Sequence, residues 1–387
     1  MSGAGLSESR LRRMHDVLNG YVERGQLPGM VTLVSRHGEV HVDCIGYPRD
    51  TIFRMGSMTK PVVAAAAMIL VEEGVIRLDD PVGGLLPELA NPRVLRAIDA
   101  AVDDTVPAGR TITVRDMLAF TLGTGMVIAA PGTYPIQQAA LDAGFGPNSA
   151  GMIAADDYVR QLASLPLVHQ PGEAWMYNTG SDLLGIFVER ATGLTLGEFA
   201  RQRIFEPLGM KDTGFTVPSD RLGRLPTAYI PDGGGGLNVE DPGDADSEFS
   251  RPHALDSGAS GLVSTLDDWF AFVSMLLNLG SLGGMRILSR PAVEAMTTDQ
   301  LTDAQKSRTV WLPGYFDTHG WGFGVGVITR RYDIASTPGK YGWDGYYGTT
   351  WSNDPREEMI VIAMIQVATG PHPSLRDAAT LAYAALE

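Results

Sequence analysis

Cysteine is nearly absent from this sequence of 387 residues, in which Cys44 is the only one. One cysteine cannot form an intrachain disulfide, which excludes a secreted scaffold held together by several disulfides. The sequence also lacks an apolar run of about 18 residues, the length that a membrane-spanning helix needs, and its first residues lack the apolar core of a signal peptide. We therefore expect a cytoplasmic protein without a membrane partner, although an export signal upstream of Met1 would change that localisation.

Several motifs of enzyme chemistry are missing as well. No Gly-x-Ser-x-Gly occurs, which argues against the nucleophile turn of an α/β-hydrolase. No His-Glu-x-x-His and no Cys/His cluster occurs, so the sequence implies neither a metal nor another cofactor. The formal net charge of −15 disfavours nucleic acid as a partner, because phosphate groups would be repelled. None of these features predicts the oligomeric state.

Lysine is scarce, with four in the chain, and one of them closes the sequence Ser57-Met58-Thr59-Lys60. The apolar run that follows, residues 61–73, predicts a buried helix that ends at Gly74. Residues three apart lie on one face of a helical turn, so Ser57 and Lys60 are expected side by side. Pro61 is compatible with this start, because the N–H groups of a first turn have no partner within the helix.

A serine hydroxyl beside a lysine can act as a nucleophile. The hydroxyl needs a base within hydrogen-bond reach, and lysine serves as that base when burial or nearby positive charge lowers its pKa. An apolar helix and a helix N-terminus supply both conditions at Lys60. The alternative is structural, since serine commonly caps a helix and a lysine in the first turn is commonly solvated. The extended lead-in at residues 52–56 and the Ala/Val-rich helix favour the activated serine.

The two ends of the chain predict a shared sheet. A turn at residues 36–38 separates two alternating runs and indicates a hairpin, and further strand-like runs lie near the C-terminus. We therefore expect an antiparallel sheet completed by the last third of the chain and flanked by terminal helices. Strands are predicted at 30–35, 40–45, 322–329, 345–352 and 359–367, and helices at 9–24, 114–120, 155–164, 183–192, 196–204, 266–279 and 373–385.

The middle of the chain differs in character, because helices there alternate with Pro/Gly loops. We predict an α/β lobe from about residues 1–80 and 255–387, and an all-helical lobe from about residues 81–254. Residues 229–258 carry four consecutive glycines and an acidic run, which predicts a mobile crossover loop.

Two further segments carry candidate chemistry. Residues 171–182 place Tyr177 in a Gly-containing turn before an apolar helix, where a lysine ammonium could stabilise a phenolate. The alternative for Tyr177 is a packing aromatic with a satisfied hydroxyl. Residues 341–351 alternate glycines with aromatics, and such a strand can offer N–H groups to a developing oxyanion. The alternative there is a hairpin without catalytic duty.

Together the three segments resemble the serine β-lactamase and penicillin-binding-protein superfamily, and its class C-like branch with the family VIII carboxylesterases most of all. The resemblance implies an α+β, transpeptidase-like fold in which Ser57 is the nucleophile, Lys60 its proton partner and Tyr177 a general acid/base. It also implies an oxyanion hole made by the N–H groups of Ser57 and Tyr346. The stretches that carry it are IFRMGSMTKP (52–61), LVEEGVIRLDDPV (70–82), PGEAWMYNTGSDLLG (171–185), GLVSTLDDW (261–269) and GWDGYYGTTWSNDP (342–355).

The sequence departs from the penicillin-processing pattern at two places. The second motif of those relatives is Tyr-x-Asn, whereas here asparagine follows the tyrosine directly. Their third motif begins with a lysine that binds a substrate carboxylate, whereas this chain has Trp343-Asp344-Gly345, with Lys340 as a less well placed alternative. An indole cannot pair with a carboxylate and Asp344 would repel it, so a small neutral ester or amide is the expected substrate. The expected substrate-binding residues are Trp175, Asn178, Trp343, Asp344, Gly345 and Tyr347.

The remaining candidates are weaker and the function keeps alternatives. Trp311, Tyr315, Phe316 and Trp321 could extend an apolar acyl pocket or serve core packing alone. His253 and His319 are expected to be structural. The function favoured by the sequence is a serine carboxylesterase. The alternatives are a D-amino-acid peptidase, a weak β-lactamase, an acyltransferase and a non-catalytic ligand-binding protein with the same fold.

Overall fold

The computed structural model of the chain describes residues 5–146, 151–368 and 372–387. Within these ranges the helices are α1 (Glu8–Glu23), α2 (Lys60–Glu72), α3 (Val114–Leu118), α4 (Pro135–Asp142), α5 (Ala155–Ala163), α6 (Thr179–Thr192), α7 (Leu196–Ala200), α8 (Glu206–Leu208), α9 (Leu266–Leu277), α10 (Arg290–Met296), α11 (Asp303–Arg308) and α12 (Pro373–Ala384). The strands are β1 (Met30–Arg36), β2 (Glu39–Ile45), β3 (Phe53–Arg54), β4 (Arg93–Leu95), β5 (Thr105–Pro107), β6 (Ala228–Pro231), β7 (Leu237–Asp241), β8 (Val263–Ser264), β9 (Ser281–Leu282), β10 (Met285–Arg286), β11 (His319–Trp321), β12 (Gly326–Ile328), β13 (Tyr341–Gly345), β14 (Thr349–Asp354) and β15 (Met359–Met364).

A seven-stranded sheet joins the two ends of the chain. Its order is β11-β12-β13-β14-β15-β1-β2, and every neighbouring pair is antiparallel. The antiparallel sheet built from both ends is therefore confirmed, with five C-terminal strands where three were predicted. The run 345–352 does not form one strand, because the chain turns back at residues 346–348 and pairs Gly345 with Thr349. Gly348 permits this turn through its positive φ of 78°.

The β1–β2 hairpin shows how the local sequence fixes the register. His37 and Gly38 form its two-residue turn, with φ values of 48° and 83°. Two positive φ values match the twist of the flanking strands, and they favour Gly at the second place. Arg36 consequently pairs with Glu39, one residue closer to the turn than predicted.

Helices cover both faces of the sheet. On one face α1 and α12 pack against each other and against the sheet, and Leu11, Met14 and Leu18 are the buried side of α1. On the other face α2 and α9 contribute to a core cluster that also holds Val31 and Leu33 of β1. The helical period of the α1 sequence and the alternation of β1 thus specify the same core.

The middle of the chain supplies α3 to α8 and, beyond the prediction, two short hairpins, β4–β5 and β6–β7. The predicted crossover loop at 229–258 contains the second hairpin, whose turn includes the glycine run. Asp232 organises that turn by accepting the N–H groups of Gly234 and Gly236 at 2.7 and 2.8 Å. Within the described ranges, no helix combines the length and apolar character needed to cross a bilayer. The boundaries of the two lobes stay a prediction.

Candidate active site

Ser57 lies in a tight turn between strand β3 and helix α2. Residues Gly56–Thr59 form a single 3-10 turn, and α2 begins at Lys60 with Pro61 in its first turn. Thr59 fixes the turn because its hydroxyl donates to the Gly56 carbonyl at 2.7 Å and accepts the Leu262 N–H at 3.1 Å. The predicted juxtaposition is present, with Lys60 Nζ 2.9 Å from Ser57 Oγ.

Lys60 is enclosed by the core rather than solvated. Its side chain is 1 % exposed, and Nζ donates to Ser57 Oγ and to the Ala259 carbonyl oxygen at 2.7 Å. Burial disfavours the charged amine and lowers the pKa of Lys60 to about 7, while the Asp182 carboxylate acts in the opposite direction. A substantial fraction of Lys60 is therefore an uncharged amine near neutral pH, which is the state that can accept the Ser57 proton.

Tyr177 completes the group around the serine. Its ring lies over Lys60, with Nζ 4.5 Å from the ring centroid, and its hydroxyl has Ser57 and Trp343 as hydrogen-bond partners. Burial raises the pKa of Tyr177, and this effect outweighs both hydrogen bonds. The expected phenolate is therefore not the resting form. Tyr177 is a neutral phenol beside a weakly basic lysine, and the geometry suits it to pass a proton.

A strained turn presents Tyr177 to the site. Asn178 has φ 86° and ψ −64°, and the Thr179 N–H points back to the Tyr177 carbonyl at 3.3 Å. This is a three-residue γ-turn with a positive φ, which is rare for a residue other than glycine. The turn tightens the link between Tyr177 and α6, which begins at Thr179. It also explains why asparagine directly follows the tyrosine here, since asparagine tolerates positive φ better than most residues.

The backbone of Tyr346 approaches the Ser57 turn closely. A Cβ on Gly56, whose φ is 52°, would lie 2.7 Å from Tyr346 N. Across the described residues, neither the Ser57 N–H nor the Tyr346 N–H donates to a protein acceptor. Two unpaired donors thus lie on neighbouring segments at the turn that holds Ser57, which is compatible with the predicted oxyanion hole.

Gly345 makes that approach possible. A Cβ at this position would overlap the Met55 carbonyl oxygen and Thr349 Oγ1. The Thr349 hydroxyl also donates to the Met55 carbonyl at 3.1 Å, which ties β14 to the segment before the serine. Gly345 is buried at this contact, so its lack of a side chain allows β13 to pack closely against the segment before Ser57.

The other two residues of the third motif face the cleft in different ways. Trp343 Nε1 donates to Tyr177 Oη at 2.7 Å. Asp344 is exposed, accepts the Thr350 hydroxyl at 2.5 Å and raises the pKa of Tyr177 through its charge. Lys340 lies elsewhere, with Nζ donating to the Ala335 carbonyl at 2.6 Å and packed over the Tyr383 ring of α12. Lys340 therefore serves other contacts, and Trp343 is the third-motif side chain that bonds to Tyr177.

Aromatic side chains surround Tyr177 on the side away from α2. Trp175 and Trp321 are fully buried there, and Trp343 contacts both Tyr177 and Trp321. The indole of Trp311 lies 5.0 Å from the Tyr177 ring. The described members of this aromatic cluster are Phe120, Trp175, Tyr177, Trp311, Phe316, Trp321 and Trp343.

Five other residues that the sequence analysis considered lie outside this aromatic cluster. Tyr347 packs in a separate core cluster and donates to Glu248 at 3.1 Å, and its contact with substrate stays a prediction. The Tyr346 hydroxyl points to Glu240 at 3.3 Å, leaving its backbone as the part beside Ser57. Tyr315 stacks on His319 at 4.4 Å, and His253 contacts Phe249. Both histidines are thus in structural contacts, as expected.

The sequence analysis missed Asp182. This carboxylate is 6 % exposed and accepts the Ser257 hydroxyl at 2.7 Å and the Ala259 N–H at 3.1 Å through one oxygen. The Tyr158 hydroxyl donates to the other oxygen at 3.3 Å. An acidic residue directly before Leu183-Leu184 on the buried side of α6 was the available signal. In the described part of the chain, no three His, Cys, Asp or Glu side chains are grouped as a metal site requires.

Comparisons with known proteins agree with this geometry. A protein of Mycobacterium tuberculosis, Rv1367c, is 36% identical over 361 residues, covering 89% of this chain and 87% of its own. Esterase EstB of Burkholderia gladioli is 29% identical over 401 residues, covering 95% and 94%. The solved structure of EstCE1, described as a hydrolase with promiscuous acyltransferase activity, superposes with a TM-score of 0.79 at 25% identity, covering 98% of this chain and 99% of its own. The Beta-lactamase family model matches residues 14–386, and the chain therefore belongs to the β-lactamase family within the serine β-lactamase and penicillin-binding-protein superfamily.

Proposed function

We propose that the protein is a serine hydrolase of the carboxylesterase type that cleaves small neutral esters through an acyl-serine intermediate. The observation that carries the proposal is the hydrogen bond between Lys60 Nζ and Ser57 Oγ inside a buried site. EstB and EstCE1, which are similar along nearly the whole chain, are described as an esterase and a hydrolase.

The proton steps follow from the surroundings of each group. Uncharged Lys60 takes the Ser57 proton as Oγ bonds to the ester carbonyl carbon, and the oxygen anion that forms accepts the N–H groups of Ser57 and Tyr346. The ester C–O bond then breaks, and Tyr177 hands the leaving alkoxide a proton that Lys60 replaces. Water attacks the acyl-serine by the same route in reverse and releases the acid.

In the described part of the chain, the third motif places an indole and a carboxylate rather than a cation beside Tyr177, so we expect a neutral substrate. Trp343 and the charge of Asp344 stand beside Tyr177, and the net charge of the chain is −15. Met126 and Val310 are 48% and 61% exposed and line one small groove with Trp175, and we propose that this groove accepts an apolar substituent of the substrate. The predicted contact of Asn178 with substrate belongs to this proposal as well.

The cell compartment and the division into lobes also belong to the proposal. A single exposed cysteine, Cys44, suits a reducing compartment, so we place the enzyme in the cytoplasm. Ser57 would lie where the helical segment 81–254 meets the α/β segments at 1–80 and 255–387. Nucleic acid is not expected as a partner because of the negative charge.

A fluorophosphonate probe tests the proposed function. We expect one adduct on the tryptic peptide that contains Ser57, and none on the Ser57→Ala variant with the same thermal unfolding midpoint. Wild-type protein that stays unlabelled while it still binds apolar esters would instead identify a non-catalytic binding protein.

Acyl transfer to an alcohol is the second candidate, because EstCE1 is described with that side activity. Hydrolysis and transfer share the acyl-serine and differ only in the acceptor. Adding a small alcohol during turnover of a p-nitrophenyl ester measures the share of each. Formation of the new ester in proportion to alcohol concentration supports transfer, and release of acid alone supports hydrolysis.

A further inference from the structure

A buried chain of hydrogen bonds connects Asp182 to the catalytic lysine through one residue, Ala259. Asp182 Oδ1 accepts the Ala259 N–H at 3.1 Å, and the Ala259 carbonyl oxygen accepts Lys60 Nζ at 2.7 Å. The two bonds come from opposite sides of the same residue. The position of Asp182 therefore determines where the Lys60 acceptor lies.

Asp182 itself is held from three sides. The Ser257 hydroxyl donates to Oδ1 at 2.7 Å, the Tyr158 hydroxyl of α5 donates to Oδ2 at 3.3 Å, and the start of α6 carries the residue. Its exposure of 6 % leaves little contact with solvent. A buried carboxylate with this many donors is costly to replace and fixes its neighbours.

Resting on the proposed function, we propose that Asp182 is a positioning residue for Lys60. Its carboxylate orients the Ala259 carbonyl toward Nζ and stabilises the ammonium that forms when the Ser57 proton has moved to the lysine. The three N–H bonds of that ammonium would then be directed at Ser57, at Ala259 and at the interior around Tyr177. No atom of Asp182 touches the reacting groups in this scheme.

The electrostatics of the site agree with this role. The described groups around Lys60 are Ser57, Tyr177, the Ala259 carbonyl and Asp182, and Asp182 is the one whose charge raises the lysine pKa. Burial raises the pKa of Asp182 as well, while the hydrogen bonds from Ser257 and Ala259 favour its charged form. Burial of Lys60 works against this charge and holds the pKa of Lys60 at about 7. Removing the negative charge should therefore leave a weaker base, with the lysine deprotonating at lower pH.

The test is the pH dependence of kcat/KM for p-nitrophenyl acetate in Asp182→Asn. We expect the acid limb to move down by about one pH unit, since a nearby opposite charge shifts a pKa by roughly that much or more. We also expect kcat above the limb to fall about 10- to 100-fold, with KM within about twofold of wild type, because a weaker base transfers the proton less well and the Ala259 carbonyl is no longer held toward Nζ. Asp182→Glu, which restores the charge, should return the limb toward the wild-type pH.

Asp268→Asn is the matched control. Asp268 is also buried, and it accepts the Asp212 N–H at 2.7 Å and the Thr213 hydroxyl at 3.0 Å. Its loss should lower the thermal midpoint without moving the acid limb. If Asp182→Asn behaves in the same way, Asp182 only supports the fold and the inference is overturned.

If Asp182→Asn does not fold, the same pH dependence is measured in Ser257→Ala. It keeps the carboxylate but removes the shortest bond to it, which weakens the charged form. The acid limb should then move in the same direction by a smaller step, and an unchanged limb would overturn the inference. Lys60→Ala distinguishes a failure of the inference from a failure of the proposed function. If Lys60→Ala keeps its esterase activity, the proposed function is contradicted. If Lys60→Ala is inactive and Asp182→Asn leaves the acid limb at its wild-type pH, the inference alone is contradicted.

Discussion

The indole N–H of Trp343 donates a hydrogen bond of 2.7 Å to the phenolic oxygen of Tyr177. Besides the substrate preference that we propose for it, Trp343 therefore acts on Tyr177 directly. It fixes the orientation of the Tyr177 hydroxyl and fills the cleft beside it with an apolar ring. Under the proposed function, this contact would link substrate choice to proton transfer.

Trp343→Phe should separate these two effects. The phenylalanine ring keeps the cleft apolar, but it cannot donate a hydrogen bond to Tyr177. We therefore expect kcat for p-nitrophenyl acetate to fall about tenfold, while the relative kcat/KM values for different esters stay unchanged. Steady-state kinetics over a series of acyl chains measure both. An unchanged kcat would show that the bond to Trp343 does not orient Tyr177.

The second prediction concerns substrate charge. Short p-nitrophenyl esters should exceed nitrocefin in kcat/KM by about two orders of magnitude or more, because the nitrocefin carboxylate meets an indole and Asp344 instead of a cation. The double variant Trp343→Lys with Asp344→Thr should narrow that ratio. Equal rates on the two substrates in the natural enzyme would contradict the assignment of the third motif to residues 343–345.

Much of this site could be predicted because its central contact is local. Ser57 and Lys60 are three residues apart, so one helical turn brings them together whatever the rest of the chain does. Gly345 and Trp343 could be assigned from the glycine pattern of their strand. The role of Asp182 could not, because its partner Ser257 is 75 residues away and hydroxyls of that kind leave no pattern in the sequence.

The fold, like the site, has local features that the sequence predicts and non-local ones that it does not. The period of α1 and the alternation of β1 are local and were predicted, whereas the turn at residues 346–348 was not, because residues 345–352 were predicted as one strand. An alternating Gly/aromatic run does not show where the chain reverses, and reversal after Gly345 directs Tyr347 to Glu248 and Phe249. Strand β11 was missed because its three residues are too short for any period to appear.

The third prediction removes the nucleophile. Ser57→Ala should lose essentially all ester hydrolysis, while its free energy of unfolding changes by about 1 kcal/mol or less, since one hydroxyl at a turn contributes that much. Activity assays and denaturant unfolding provide the comparison. Turnover above a small fraction of the wild-type rate would remove Ser57 from its role.

The fourth prediction concerns the proton network. Lys60→Ala and Tyr177→Phe should each lower kcat by about three orders of magnitude, and the double variant should be little slower than either, because members of one catalytic unit are non-additive. A double variant whose loss equals the product of the single losses would show that the two side chains act independently.

The fifth prediction concerns the close packing behind the oxyanion hole. Gly345→Ala should reduce kcat about 100-fold or more, because the added methyl must push β13 away from Met55 and with it the Tyr346 N–H. Gly223→Ala is the control, since a Cβ there meets nothing within 4 Å. Equal activity of the two variants would argue against an oxyanion donor at residue 346.

The central claim is that an uncharged Lys60 activates Ser57, and the ionisation of Lys60 tests it most directly. The chain has four lysines, so enzyme labelled with 13C at the lysine ε-carbon should give few enough NMR signals for each to be followed with pH. The signal that Lys60→Ala removes should titrate with a pKa of about 7, and kcat/KM for esters should rise with pH through the same range as the amine loses its proton. A Lys60 signal that titrates near the ordinary lysine value of about 10.4 would contradict the account, because the lysine would then be charged at neutral pH and unable to accept the serine proton.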